Sequence, residues 1–523
     1  MDLNLRPSLT AYVRQRLDAF RDGYRHNLAI VGPMASGKSF LLREALDQAD
    51  ARFLKIVCTL QRGTVHEFGR AFAGSILRAL ASLPETADDD AVLERAARVA
   101  PRTTDAALRL GRTGLPHAST ELLVSALDLV PLAHQELDRP CILVLDEFLH
   151  LGELGLSHAF HELGKRVVTW PFTVFVVTSS SCGQAREILR ERLQLLFGQF
   201  ELLTLGALES TAAVEWMRRE LPGAGRREDL VSFLTSWVGS CPWYLDLFLK
   251  RMKELVVLGR QESISEHVMS QAGADLLGSA SGVLHQWFSA RVAQLTRQRH
   301  GTLARDVLLA IARGARTSLA IARQGVPRRN LSHALQLLVD QDLVCRKGAC
   351  WVIPDQVLGF WLASVLGHAA ARGDHSDRCR RAFIGTWATW LKSMQLPLAE
   401  RITELLGQFQ NETVSLDHKT GRLPAFRSMT RMAPTAIGQT YIMADGEDQR
   451  WCCLVHEGRL EESAVHAFQT FCRSQSPKPS RKVVVAKDGL DLNAKLLAKE
   501  ANMWVWEPDD MRLLGLLYEQ PLV

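Results

Sequence analysis

The stretch Gly32-Pro33-Met34-Ala35-Ser36-Gly37-Lys38-Ser39 constrains this chain more than any other. It fits the pattern G-x-x-x-x-G-K-[ST], follows the apolar run Leu28–Val31 and leads into the helix-forming FLLREAL. A strand, a glycine-rich loop and a helix in that order make a cradle for phosphate. The glycines let backbone N–H groups curl around phosphate oxygens, and the helix N-terminus adds partial positive charge. In such a loop Lys38 reaches the β- and γ-phosphates and Ser39 ligates Mg2+. The expected nucleotide contacts therefore run from Gly32 to Phe40, with ATP and Mg2+ as the ligands. A cradle of this kind sits at the edge of a parallel sheet, so the expected class is α/β.

A second element fits the first. Cys141–Asp146 is a continuous apolar run of the kind that forms a buried parallel strand, and it ends in Asp146-Glu147. Asp146 would hold Mg2+ through water, and Glu147 would polarise the attacking water. Lys38 and Asp146 are 108 residues apart. The Ala- and Leu-rich stretch 66–137 fills that gap as a helical insertion. Further strands are expected at Phe53–Thr59, Phe172–Thr178 and, more weakly, Phe200–Thr204. The Phe172–Thr178 strand ends in Thr178-Ser179-Ser180-Ser181. Thr178 and Ser179 are the candidates for sensing the γ-phosphate, the alternative being a serine-rich turn.

The chain has 523 residues, enough for about three or four domains. Its hydrophobic content of 47% and charged content of 23% exclude a largely disordered chain. No window approaches the roughly 18 uncharged apolar residues of a membrane span, and MDLNLRPSL lacks the pattern of a secretory signal. The ten cysteines form no CxxC pair, so zinc spacing is absent and a reduced, cytoplasmic setting is expected. Residues 1–210 read as the nucleotide-binding core and 211–300 as helices with a break at Gly239–Pro242. Residues 301–370 open with three helices and a hairpin, 371–435 read as a helical connector, and 436–523 return to mixed strands and helices.

The order of motifs resembles a known family. It runs through the phosphate loop, the helical insertion, LVLDE, TSSS, then Leu195-Leu196-Phe197-Gly198-Gln199 and Gly239-Ser240-Cys241-Pro242-Trp243-Tyr244-Leu245. It closes with Ile353-Pro354-Asp355-Gln356-Val357-Leu358-Gly359-Phe360-Trp361-Leu362. This is similar to the archaeal-type ATPases, a STAND-like branch of the AAA+ P-loop proteins, over about residues 20–370. The resemblance implies an AAA+-type parallel sheet, a helical lid whose Pro242 closes over the nucleotide, and a winged helix. It also implies a C-terminal domain like the restriction endonucleases. Members carry Arg where Gln199 stands, so slow turnover is expected unless Arg186, Arg190 or Arg192 replaces it.

Two further expectations concern DNA. Residues 301–353 hold eight basic and three acidic residues, a surplus equal to the +5 of the whole chain. Arg328, Arg329 and Asn330 open the expected third helix, where helix-turn-helix proteins read a groove, and Arg346 and Lys347 at the hairpin tip could touch phosphates. The alternative is an internal contact module with a solvated surface. In the C-terminal stretch Asp445 and Glu457-x-Arg459 stand where the nuclease motif places an Asp and (D/E)-x-K. Arg is a poor base, which leaves either a working nuclease or a degenerate domain contacting DNA or protein. Three functions follow: an ATP-hydrolysing switch that contacts DNA, a nucleotide-gated scaffold for protein partners or a second copy, and an ATP-regulated nuclease. No membrane partner is expected.

Overall fold

Five apolar segments of the first half pair into one parallel sheet in the computed structural model, which describes residues 5–83, 87–112, 120–189, 199–221, 223–260, 262–368, 375–416, 419–432 and 438–522. The chain divides into two units, Met1–Ala212 with Cys241–Trp243, and the remainder.

The first unit opens with α1 (Pro7–Asp18), followed by β1 (Asn27–Val31), α2 (Lys38–Gln48) and β2 (Leu54–Thr59). Five helices then fill the expected insertion: α3 (Val65–Ala81), α4 (Asp89–Val99), α5 (Pro101–Arg112), α6 (Thr120–Leu127) and α7 (Leu129–Leu137). α3 starts where it does because Thr64 and Glu67 close a capping box. Next come β3 (Cys141–Asp146), α8 (Ala159–Thr169), β4 (Thr173–Ser179), α9 (Cys182–Glu187) and β5 (Phe200–Thr204). The strand order is β2-β3-β4-β1-β5, and every pair is parallel. Ala29 and Val31 face the core shared with the insertion helices, and Leu28 and Ile30 face the core shared with α1 and α2. Burial on both faces explains why these strands read as unbroken apolar runs.

The second unit begins with α10 (Ser210–Glu220), α11 (Glu228–Trp237), α12 (Pro242–Leu258), α13 (Glu266–Gly273) and α14 (Val283–Thr296). The expected three helices and hairpin follow as α15 (Gly301–Ala312), α16 (Ser318–Arg323), α17 (Leu331–Asp340), β6 (Cys345–Lys347) and β7 (Cys350–Val352). Then come α18 (Gln356–Ser364), α19 (Ser376–Met394) and α20 (Leu398–Gly407). The 371–435 stretch is not the helical connector expected. α19 sends Phe383 and Trp387 into an aromatic cluster with Phe233 and Trp237, and α20 packs on the last sheet. Three strands follow within the same stretch, β8 (Glu412–Leu416), β9 (Lys419–Leu423) and β10 (Phe426–Met432).

The chain ends with β11 (Gln439–Gly446), β12 (Arg450–His456), α21 (Glu462–Ser474), β13 (Arg481–Ala486), α22 (Leu492–Glu500), β14 (Trp504–Trp506) and α23 (Pro508–Tyr518). β10 to β14 form one sheet in sequence order. Its first two pairings are antiparallel and its last two parallel. Among the described residues no helix is long and apolar enough to cross a membrane.

Candidate functional site

Sheet order brings the two halves of the phosphate motif together. β4 lies between β1 and β3, so the loop after β1, the carboxylates after β3 and the polar end of β4 share one sheet edge. Within the loop Ala35 and Gly37 take left-handed backbone, with φ of 66° and 89°. Gly32 has no room for a side chain, because a Cβ would stand 2.3 Å from the Leu205 carbonyl oxygen. Lys38 opens α2 and is buried. Its ammonium donates to the carbonyls of Gly32 (2.9 Å) and Pro33 (3.1 Å) and to Ser180 Oγ (2.9 Å). Burial pulls its proton affinity below the usual lysine value, against the charges of Glu147 and Asp146.

The carboxylates are held by β4. Thr178 Oγ1 donates to Asp146 Oδ1 and accepts from the Glu147 amide at 3.1 Å. Thr59, at the end of β2, donates to Asp146 Oδ2 at 3.4 Å. Glu147 sits at φ 54°, a conformation that costs a non-glycine residue about 1–2 kcal/mol and gathers at functional sites. Both of its oxygens go to Ser180, one to the hydroxyl and one to the amide at 2.9 Å. Ser179, expected as a sensor with Thr178, instead closes a turn onto Ser181. Ser180 is the residue the sequence reading passed over. Alternation along the strand puts 178 and 180 on the same side, which was the available signal.

Two more groups reach the loop. Pro242 Cγ lies 3.9 Å from where a Gly37 Cβ would stand, and the Cys241 thiol points to the Ala35 carbonyl at 3.6 Å. The proline expected at the nucleotide is therefore beside the phosphate loop. Arg6 donates to the carbonyls of Gly206 (2.5 Å) and Ser36 (3.4 Å). Burial lowers its pKa. Nothing in the N-terminal sequence pointed to it. Ser36 Oγ is buried with no hydrogen-bond partner among the described residues, as suits a donor meant for phosphate. Ser39 is exposed beside it, while Phe40 is half-buried, Pro33 and Met34 exposed. The oxygen donors that Ser39 and Asp146 carry are of the kind that suits Mg2+.

Residues 6–177 match the AAA ATPase domain family. The first unit carries an AAA ATPase domain. Among solved structures this chain is similar to a Walker-type ATPase of Pyrococcus abyssi, at 15% identity over 68% of this chain and 95% of that one, with TM-score 0.44. It is similar to the ORC2 protein of Aeropyrum pernix in ADPNP and ADP complexes, at 13% identity over 73% and 96%, with TM-score 0.44. The ORC1 protein of Aeropyrum pernix in complex with DNA is a third, at 16% over 70% and 94%, with TM-score 0.41. No curated protein matches the chain. An AAA ATPase domain implies nucleotide binding, and Lys38, Asp146 and Glu147 of this one stand at a single sheet edge.

The other expected residues are not gathered there. Arg328, Arg329 and Asn330 precede α17 rather than opening it, because Asn330 turns the chain at φ 63°, and all three are exposed. Arg346 is not a free hairpin-tip charge. It stacks 5.6 Å over Trp351 and bonds the Gly348 carbonyl at 2.9 Å. The tip is tied by its backbone to β8, the Ala349 amide donating to the Thr413 carbonyl at 2.8 Å, and Lys347 is half-buried. Asp445 and Glu457 do not meet. Antiparallel register sets Asp445 opposite Arg450 and Gln439 opposite His456, placing the two carboxylates about 20 Å apart along the strands. Asp445 pairs with Arg450. Glu457 accepts from the Leu398 amide at 2.9 Å and so holds the start of α20. Arg459 is exposed. Gln199 is exposed just before β5; Arg190 and Arg192 lie outside the described residues.

Proposed function

We propose that this chain is an ATP-hydrolysing switch of AAA+ type whose α15–β7 segment is a winged helix contacting DNA. The observation that carries the catalytic half is the Lys38–Ser180–Glu147 chain of hydrogen bonds beside Asp146 and Thr178. Lys38 leaves the loop carbonyls for the β- and γ-phosphates when nucleotide fills the cradle. Gly32 to Phe40 wrap the phosphates, and Pro242 closes the side next to Gly37. Ser39 and Asp146 would hold Mg2+, which when bound would supply charge neutralisation of the phosphate oxygens. Glu147, released from Ser180, orients water and draws its proton as the oxygen attacks the γ-phosphorus and the β–γ bond breaks. Thr178 keeps Asp146 and the Glu147 backbone in register for that step.

DNA contact rests on Arg328, Arg329 and Asn330, which are exposed together at the turn before α17. The backbone bond from Ala349 to β8 favours a second reading for the hairpin, that of an internal joint, and with it a nucleotide-gated scaffold for protein partners. The separation of Asp445 from Glu457 leaves the nuclease reading without a site.

ATP hydrolysis with and without duplex DNA tests the proposal. Wild type is expected to hydrolyse ATP, faster with DNA, and Lys38→Ala and Glu147→Gln are expected to lose at least about a hundredfold. The double variant Arg328→Ala, Arg329→Ala is expected to bind DNA more weakly with a shallower salt dependence. No hydrolysis in wild type under either condition, with nucleotide still bound, would leave the scaffold.

A further inference from the structure

Two histidines of the second unit meet face to face. His300 and His333 stack with ring centroids 5.5 Å apart and ring planes 27° apart. His300 is half-buried at the residue before α15, and His333 is exposed in the first turn of α17. The stack therefore brings the starts of these two helices side by side. Each start follows a residue in left-handed backbone, His300 at φ 64° and Asn330 at φ 63°, and no side chain caps either helix. The uncapped ends add partial positive charge beside the rings.

The charge that flanks the pair is of one sign. Arg297 and Arg299 lead into His300, and Arg328 and Arg329 lead toward His333. All four are exposed, and none forms an ion pair among the described residues. The carboxylates of the two helices are engaged elsewhere. On α15, Asp306 pairs with Arg305 at 3.0 Å. Asp340 and Asp342 lie at the far end of α17, where Asp340 accepts from Gln336 at 2.8 Å. Of the other helices packed on α15, α14 carries His285 and Arg291, α16 carries Arg323, and α18 carries no charged residue. Its cap, Asp355, takes the Tyr244 hydroxyl.

Two charged rings this close repel each other. A phosphate set against both removes that repulsion and accepts their N–H groups. Histidine is the side chain that ordinarily changes charge between about pH 5 and 8. Phosphate binding and proton uptake at such a pair favour each other by linkage.

We propose that His300 and His333 form a proton-linked contact for a backbone phosphate of DNA, adjoining Arg328 and Arg329. The inference rests on the reading of the α15–β7 segment as a DNA-contacting module, and it makes that contact tighten as pH falls.

Titration of a fluorescent duplex with the full chain at about pH 6, 7 and 8 and constant salt tests it. Wild type is expected to bind at least about tenfold tighter at the lowest pH than at the highest. His333→Gln removes the exposed ring, and His300→Asn removes the other in favour of a residue that tolerates left-handed backbone. Each is expected to cut that gain to about threefold or less, with binding at the highest pH within about threefold of wild type. Arg328→Ala with Arg329→Ala is expected to weaken binding at every pH and to keep the gain. The gain is expected on two duplexes of unrelated sequence alike, since a phosphate contact carries no sequence information. Binding that does not change with pH, or an equal gain in wild type and both histidine variants, overturns the inference and leaves the DNA reading standing. A gain lost in only one of two folded variants belongs to a single ring and overturns the pair. If His300→Asn does not fold, His333→Gln decides alone. A gain confined to one duplex assigns the rings to a base edge and overturns the phosphate contact. No binding at any pH overturns the DNA reading and this inference with it.

Discussion

Ser180 Oγ stands between an ammonium and a carboxylate, accepting from Lys38 and donating to Glu147. In the proposed hydrolytic mechanism, Ser180 holds both Glu147 oxygens, and those bonds must break before the carboxylate can orient water. A hydrogen bond to a charged group is worth about 1.5–3 kcal/mol. Ser180→Ala removes one of the two and keeps the backbone amide. The expected outcome is basal hydrolysis raised by about tenfold or more, with ATP affinity unchanged; a fall in kcat would show that the hydroxyl works in the nucleotide-bound state instead. The residues that the sheet order gathers at one edge were legible from spacing: Lys38 and Ser39 in the loop, Asp146 and Glu147 at a strand end. Ser180 differed from Ser179 only by which side of the strand it takes, and Arg6 only by a fold that carries the N-terminus to Gly206. The first is readable from strand alternation, while the second depends on the fold.

At the scale of elements, the strands with long apolar runs announced themselves, and β8, β9 and β10 did not. β8 and β9 each bury two residues, Val414 with Leu416 and Gly421 with Leu423, and β10 buries none fully. Such segments read as polar text. Gly421 is needed because a Cβ there would stand 2.9 Å from the Trp504 ring. The start of α18 joins two stretches that the family resemblance singled out: Asp355 accepts from the Leu358 amide at 3.0 Å and from the Tyr244 hydroxyl at 2.6 Å. Burial pushes the Asp355 carboxyl up, against those two bonds and the charge of Arg291. A raised carboxyl favours the fold fully only below its unfolded value of 3.8, and that contribution is lost as pH rises through the folded value. Asp355→Asn keeps a good cap acceptor for α18 and removes the ionisable group. Its melting temperature relative to wild type is expected to be more favourable at about pH 7 than at about pH 4. An equal difference at both would mean that the ionised carboxylate is not disfavoured in the fold.

Across the whole second unit, the basic segment and the C-terminal sheet are one packed body. Cys350 and Val352 of β7 share a core with Leu398, Trp504 and Tyr518. Arg316 lies 4.5 Å over the Tyr518 ring, and the Trp351 amide donates to the Arg316 carbonyl at 2.7 Å. A sequence read in order divides the chain where its texture changes, so a hairpin at 345–352 that completes a core built from residues 398–522 was assigned to the helices before it. Gly348 is the point where this joint is most exacting. Its φ of 70° is left-handed, and a Cβ there would stand 2.6 Å from the Thr413 carbonyl oxygen. A backbone atom of β8 cannot swing aside as a side-chain tip can. In a free hairpin a β-branched residue would meet only the left-handed penalty of about 1–2 kcal/mol. In the docked one it must also push β8 away, for a further cost of about 1–3 kcal/mol. Gly348→Val is therefore expected to lower stability by more than about 2 kcal/mol. It should also open the Arg346-Lys347 bonds to trypsin, which wild type is expected to resist there. Equal tryptic cutting in both proteins would show that the hairpin stands free of β8 in solution, and would return Arg346 and Lys347 to the set of charges available to DNA.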